Sequence, residues 1–274
     1  MTRFFACGKS GDQYPGVAVN SVTHLATQIH DVLVNQAGWE LFSGSPTALP
    51  MRIRSSLAIG GIHALFEFNS TSNGLSVQAV DGSTLAPPIG TSTGQLAPWI
   101  VSSTSRSWIV ASARSWIISV TSAGERVTIY GGWGWWPKQF EVPGTSWVLA
   151  RLCHTFISPF TTTTSGFQGV VYRSASGIRF APLPVGWNHS VLHGGNSDST
   201  ATINARTIAP ELTENYHRSR EGEFNGYVEF AVCGLGRLTS GAIYRVNTGT
   251  EIRVYMACGG YEAGFMVDAY PPPT

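Results

Sequence analysis

The rhythm of hydrophobic and polar positions changes once along this chain, near residue 38. From Ser21 onward, apolar residues fall at Val22, Leu25, Ala26, Ile29, Val32 and Leu33. Steps of three and four place them on one stripe of an α-helix. Asn20 or Ser21 offers a side-chain oxygen to the first free amides, and Gly38 stands where a helix stop is expected. The spacing predicts one amphipathic helix over about residues 20–37, preceded by an N-terminal arm, residues 1–19. Trp39, Leu41 and Phe42 are expected to anchor its exit in a core.

Beyond the helix the period shortens to two. Residues 63–68 and 75–80 alternate apolar and polar around Asn73-Gly74, which predicts a hairpin. Residues 84–98, rich in Pro and Gly, predict a loop and a sub-boundary. Ser107-Trp-Ile-Val and Ser115-Trp-Ile-Ile form a local repeat, explained as two strands joined through residues 111–114. Residues 126–130 extend this meander, and 147–156 form a further apolar run. The stretches 169–173 and 178–180 flank another turn. Residues 186–220 lose all periodicity and predict a long surface excursion. Strand patterns return at 226–232, 242–246, 251–256 and 264–270. Many short strands between Gly-rich turns predict a mainly β fold, an antiparallel sandwich or barrel with one N-terminal amphipathic helix. All 274 residues are read as one β-rich domain.

Composition sharpens this picture. Only 12% of residues are charged, where a soluble domain carries about 25%. The net charge is +1, with 15 Arg but only Lys9 and Lys138 as lysines, while 29 Ser and 25 Thr supply polarity without charge. A chain with no basic block has no electrostatic footprint for nucleic acid. Nine Trp and 43% apolar residues exclude a disordered chain. The N-terminus lacks a run of signal-peptide type, and no apolar stretch is long enough to span a bilayer as a helix. The expectation is synthesis in a cytoplasm and no membrane insertion, with Cys7, Cys153, Cys233 and Cys258 as thiols, a disulfide between two of them being the open alternative. A surface that is polar but weakly charged suits cover by partners.

Candidate chemistry fails residue by residue. Gly90-Thr-Ser-Thr-Gly94 matches a nucleophile-elbow pattern, but prolines replace the strand and helix that motif requires. His189 and His193 are four apart without the Glu of a zinc protease. Gly8-Lys-Ser-Gly11 lacks the earlier glycine of a phosphate-binding loop. No catalytic residue, metal or cofactor is assigned, and the chain is read as a non-enzyme. The conspicuous cluster is Tyr130-Gly-Gly-Trp133-Gly-Trp135-Trp136. Indole faces in a Gly-rich loop can stack on sugar rings. The expectation set before it is burial in the core or against a neighbouring subunit, which avoids leaving roughly 1.5–3 kcal/mol per side chain unrealised.

The order of these features resembles a family of tailed-bacteriophage virion structural proteins, small β-rich accessory parts of the neck, tail or baseplate. The resemblance runs over about residues 20–268. It rests on a helix ending in Gly38-Trp39, the double strand Trp108–Ile118 with Arg114 at its turn and the segment Tyr130–Trp135. It continues through residues 226–231, Ile252-Arg-Val-Tyr255 and a closing Val267-Asp268. Family members tend to carry an acidic residue where this chain has Trp135. The resemblance implies a virion protein that forms a symmetric oligomer with copies of itself and other virion proteins, through strand edges and aromatic loops. A second expectation is a carbohydrate-binding part of the same particle, in which Trp133, Trp135 and Trp136 meet a host surface glycan.

Overall fold

The apolar stripe does form a helix, and the chain opens on it from a split edge strand. The computed structural model describes residues 4–6, 14–59, 62–72, 74–80, 99–122, 125–133 and 148–154. It also describes the strand segments 169–174, 177–182, 231–233, 243–247, 252–259 and 265–268. The arm contains two short strands, β1 (Phe4–Ala6) and β2 (Val17–Val19). Helix α1 spans Val22–His30. Ser21 caps it, its side chain accepting from the His24 amide at 3.1 Å. The next turns, Asp31–Gln36, are wound as a π-helix. The Asp31 carboxylate accepts from Asn35 at 3.0 Å and Gln36 at 2.9 Å, which braces the wider winding. Gly38 then reverses the chain at a φ of 80°.

A five-stranded antiparallel sheet follows: β3 (Glu40–Ser45), β4 (Ala48–Ile59), β5 (Ile62–Thr71), β6 (Gly74–Ala79) and β7 (Trp99–Ile100), in that order. The expected hairpin is present, with Phe68 opposite Val77, but Gly74 pairs with Thr71 and so opens β6 rather than closing the turn. The chain then builds β8 (Ser105–Ala111), β9 (Ser115–Ser122), β10 (Glu125–Gly132) and β11 (Val148–His154). It continues through β12 (Gly169–Ser174) and β13 (Gly177–Pro182). These strands form an open meander, with β1 and β2 both added to the free edge of β8. A four-stranded sheet contains β14 (Ala231–Cys233), β15 (Ile243–Asn247), β16 (Ile252–Gly259) and β17 (Phe265–Asp268), ordered β14-β17-β16-β15. The described fold is therefore mainly β, with open antiparallel sheets and one short helix.

The five-stranded sheet and the meander face each other across one core, which makes a sandwich. Leu25, Ile29 and Leu33 of the helical segment join Met51, Phe66, Phe68 and Val77 from one sheet and Ile109, Trp116, Ile118 and Ile129 from the other. Aromatic rings cross it in sequence. Trp39 lies 6.0 Å from Phe66, Phe66 meets Trp116 edge-on at 5.2 Å, and Phe68 lies between Trp116 (5.9 Å) and Trp99 (6.4 Å). Trp39 also donates its indole N–H to the Ser112 carbonyl at 2.7 Å, tying the helix exit to the β8–β9 turn. Gln28 ties the helix to the meander, donating to the Ala18 carbonyl and accepting from Ser107 Oγ at 2.6 Å.

The tryptophan repeat forms the expected hairpin, but its halves point apart. Trp108 pairs with Ser119 and Trp116 with Ala111. Paired positions sum to an odd number, so residues eight apart lie on opposite faces. Trp116 enters the shared core, whereas Trp108 faces the other way and donates to the Tyr14 carbonyl at 2.8 Å. Val110 and Ile117, on the face of Trp108, are fully buried as well. Burial on both faces explains why β8 and β9 carry apolar runs rather than alternation.

Several expectations need correction. Leu41 and Phe42 are 39% and 40% exposed, because β3 is an edge strand interrupted by register shifts; Trp39 alone of that trio reaches the core. Described residues on both sides of the 84–98 segment contribute to one core, and β7 joins the sheet built before it. The 84–98 loop, the 186–220 excursion and the motifs at 8–11, 90–94 and 189–193 lie outside the described residues.

Candidate functional site

The aromatic-glycine segment enters the structure as the end of β10. Tyr130 pairs through its backbone with Ile117 and Ala150. A Cβ on Gly131 would stand 2.2 Å from the buried Trp116 ring, and one on Gly132 would stand 2.4 Å from the Arg114 carbonyl oxygen. Gly132 also has a φ of 128°, a backbone conformation that favours glycine. These glycines therefore let β10 close against β9 beneath a large ring. They are packing elements, not a mobile rim around a ligand.

Trp133 has no exposed surface. Its amide donates to the Arg114 carbonyl at 2.8 Å, and its indole N–H donates across the sandwich to Ser55 Oγ at 3.1 Å. Of the alternatives of core, neighbouring subunit and glycan, Trp133 therefore takes the core of its own chain, and the glycan and subunit contacts expected of it are not made by this indole. Trp135 and Trp136 lie outside the described residues, and nothing is assigned to the Tyr130 side chain.

Ser55, which the sequence reading passed over, is the polar centre of this junction. It lies in an irregular stretch of β4, where the pairing of Arg54 with Leu65 shifts to Ala58 with His63. Its hydroxyl accepts from Trp133 Nε1 and from the Ala64 amide at 2.9 Å, and donates to the Leu57 carbonyl at 2.7 Å. Two acceptor sites and one proton exhaust what a hydroxyl offers. The extra residues of β4 are thus stapled in place, and Leu57 is carried outward, 37% exposed.

The outer face of the five-stranded sheet carries a polar ladder. Arg52, Glu67 and Gln78 are directly opposed on β4, β5 and β6. Glu67 accepts from Arg52 Nε at 2.5 Å, from Gln78 at 2.5 Å and from Asn69 at 2.7 Å. Burial by itself pushes the Glu67 carboxyl up. The hydrogen bonds from Asn69, Arg52 and Gln78, with the charge of Arg52, together outweigh it and hold the pKa below the ordinary glutamate value. The next row pairs Arg54 with Glu40 at 2.7 Å, and the Arg54 guanidinium lies 5.3 Å over the Phe42 ring. Three of the roughly four acceptor sites of the carboxylate are taken by neighbouring donors, which hold Glu67 as the ion.

Among the described residues, no cluster of three His, Cys, Asp or Glu is placed to hold a metal ion. No helix among them is long and apolar enough to cross a membrane. The exposed large apolar side chains among them are Leu41, Phe42 and Leu57, all on β3 and β4. Only their exposure, which depends on the edge position of β3 and the bulge of β4, distinguishes them from core residues in the sequence. No family model matches this chain, and no curated protein matches it either.

Proposed function

We propose that this chain is a structural, non-catalytic protein of a tailed-bacteriophage virion that assembles as a symmetric oligomer in the neck, tail or baseplate. The observation that supports assembly is the placement of Leu41, Phe42 and Leu57, all on the β3–β4 side of the five-stranded sheet, where β3 is the edge strand. An edge strand leaves a row of N–H and C=O groups unpaired and is a template for another chain. Apolar side chains beside it gain free energy when a neighbour covers them. The low charge agrees, because the centres of interfaces are depleted in charged residues. The virion assignment itself comes from the sequence resemblance spanning Gly38-Trp39 to Val267-Asp268.

The deciding experiment is mass spectrometry of purified particles from the phage that encodes the chain, with light scattering of the isolated protein. The chain is expected in fixed stoichiometry with other virion proteins. Phe42→Glu is expected to weaken self-association at least about tenfold, roughly 1.4 kcal/mol. Absence from purified particles overturns the reading.

A further inference from the structure

The edge of β8 is filled by two pieces of strand with a splice between them. β1 covers Ile109–Ala111 and β2 covers Ser105–Ser107, both running antiparallel to β8, so they lie end to end along one edge. Only Trp108 stands opposite the break. An uninterrupted strand would cross that position with one residue, yet residues 7–16 are spent there. The far side of the splice is anchored: Trp108 Nε1 donates to the Tyr14 carbonyl at 2.8 Å, and Arg106 donates to the Gly16 carbonyl at 3.1 Å. The near side is held by three backbone pairs and by Phe4 and Ala6, which are only partly buried against the core.

From these observations we infer that β1 is an exchangeable strand, and that in the assembled state Phe4–Ala6 of one copy pairs with Ile109–Ala111 of the next. The inference rests on the assembly reading above and supplies it with a partner, a second copy of this chain. The physical case is one of chain length and symmetry. Along β8 the gap between the two pieces is about 7 Å, at roughly 3.4 Å per residue. Eight steps from Ala6 to the anchored Tyr14 reach about 26–29 Å when extended. An arm of this length spans to the same edge of a copy held within that distance of Tyr14, with Tyr14, Gly16 and β2 left in place. The pairing, Phe4 opposite Ala111 and Ala6 opposite Ile109, is identical within one chain or between two. Exchange thus keeps the same three backbone pairs and is governed by the local concentration of neighbouring edges. With a net charge of +1, long-range repulsion between copies is small and further screened by salt. A ring or stack that fixes neighbours within the reach of the arm shifts the equilibrium toward exchange.

Phe5 and Val110 are direct partners, so Phe5→Cys with Val110→Cys places a disulfide across this pairing. The pair is introduced with Cys7, Cys153, Cys233 and Cys258 replaced by Ser. The protein is assembled reduced, then oxidised and run on a non-reducing gel. Exchange predicts covalent dimers and higher ladders that disappear with reductant. Intrachain bonds alone overturn it, whether because copies stay separate or because each arm stays on its own sheet. Deletion of residues 1–6 is the second arm of the experiment, with native cysteines retained. Exchange predicts at least a tenfold loss of self-association, and an unchanged oligomer overturns it. Either negative result leaves the virion reading standing, since that is decided by particle composition.

Discussion

Removing one oxygen at Ser55 strikes the bond that joins the two sheets. Ser55 is fully buried, and its hydroxyl holds the Trp133 indole N–H, the Ala64 amide and the Leu57 carbonyl. In Ser55→Ala the two N–H groups lose their acceptor, and leaving a buried donor unsatisfied costs about 1–3 kcal/mol each. The Leu57 carbonyl belongs to a 37% exposed residue, so water replaces its donor at little cost. The expected loss is about 3 kcal/mol, with a fall in Tm of roughly 6–12 °C for a chain of this size. Urea titration followed by tryptophan fluorescence and far-UV circular dichroism measures it, with the exposed neighbour Ser56→Ala as control, expected within about 0.5 kcal/mol of the parent. The pairwise part comes from a cycle with Trp133→Phe, which keeps a ring but has no N–H. In that background Ser55→Ala is expected to cost about 1–2 kcal/mol less. A Ser55→Ala protein as stable as the Ser56→Ala control, or strictly additive changes in the cycle, refutes the reasoning.

Gly131→Ala drives a methyl into the buried Trp116 ring, 2.2 Å from its nearest carbon. The expected cost is about 1–3 kcal/mol with a shifted tryptophan emission, and an unchanged unfolding midpoint argues against the packing role of this glycine. Glu67→Gln tests the outer ladder through pH. The folded-state pKa of Glu67 is lowered, so its stabilisation is full above the unfolded glutamate value, about 4.3. It is lost as pH falls through the lower folded value. The parent is expected to exceed Glu67→Gln by about 1–2 kcal/mol at pH 7, with the gap closing below about pH 4. A gap that stays constant from pH 7 to pH 3 contradicts the charge-assisted bonds to Arg52, Asn69 and Gln78.

The proposed assembly draws on two separate features of the described residues. The β3–β4 side of one sheet displays apolar side chains, while the open edge of the other is completed by a short strand from the N-terminus. Under the assembly proposed above, the five-stranded sheet would add contacts at its edge and the meander would exchange them. The Trp133 indole takes part in neither, because the core already uses it.

Legibility in the sequence followed the range of the interaction. The helix could be read because Leu25, Ile29 and Leu33 repeat at its own period and Ser21 caps it locally. The hairpins at 107–122 and 169–182 could be read because their turns are local too. β3 and β4 escaped notice: register shifts break their alternation and scatter apolar residues onto both sides. β1 and β2 escaped because three residues carry no period, and only the edge of β8, about a hundred positions away, makes them strands.

The same division holds for the aromatic residues. By itself the sequence determined that this is a low-charge, tryptophan-rich β protein with one helix, because composition and period are properties of neighbours along the chain. It left open whether Trp133 met solvent, a sugar, a subunit or the core. Tertiary structure decided that, since burial depends on which strand lies opposite. The odd register of the β8–β9 hairpin sent Trp108 and Trp116 to opposite faces, and the irregularity of β4 brought Ser55 beneath Trp133. A buried indole N–H needs an acceptor within about 3 Å, and no local pattern could show that the acceptor lay 78 residues earlier.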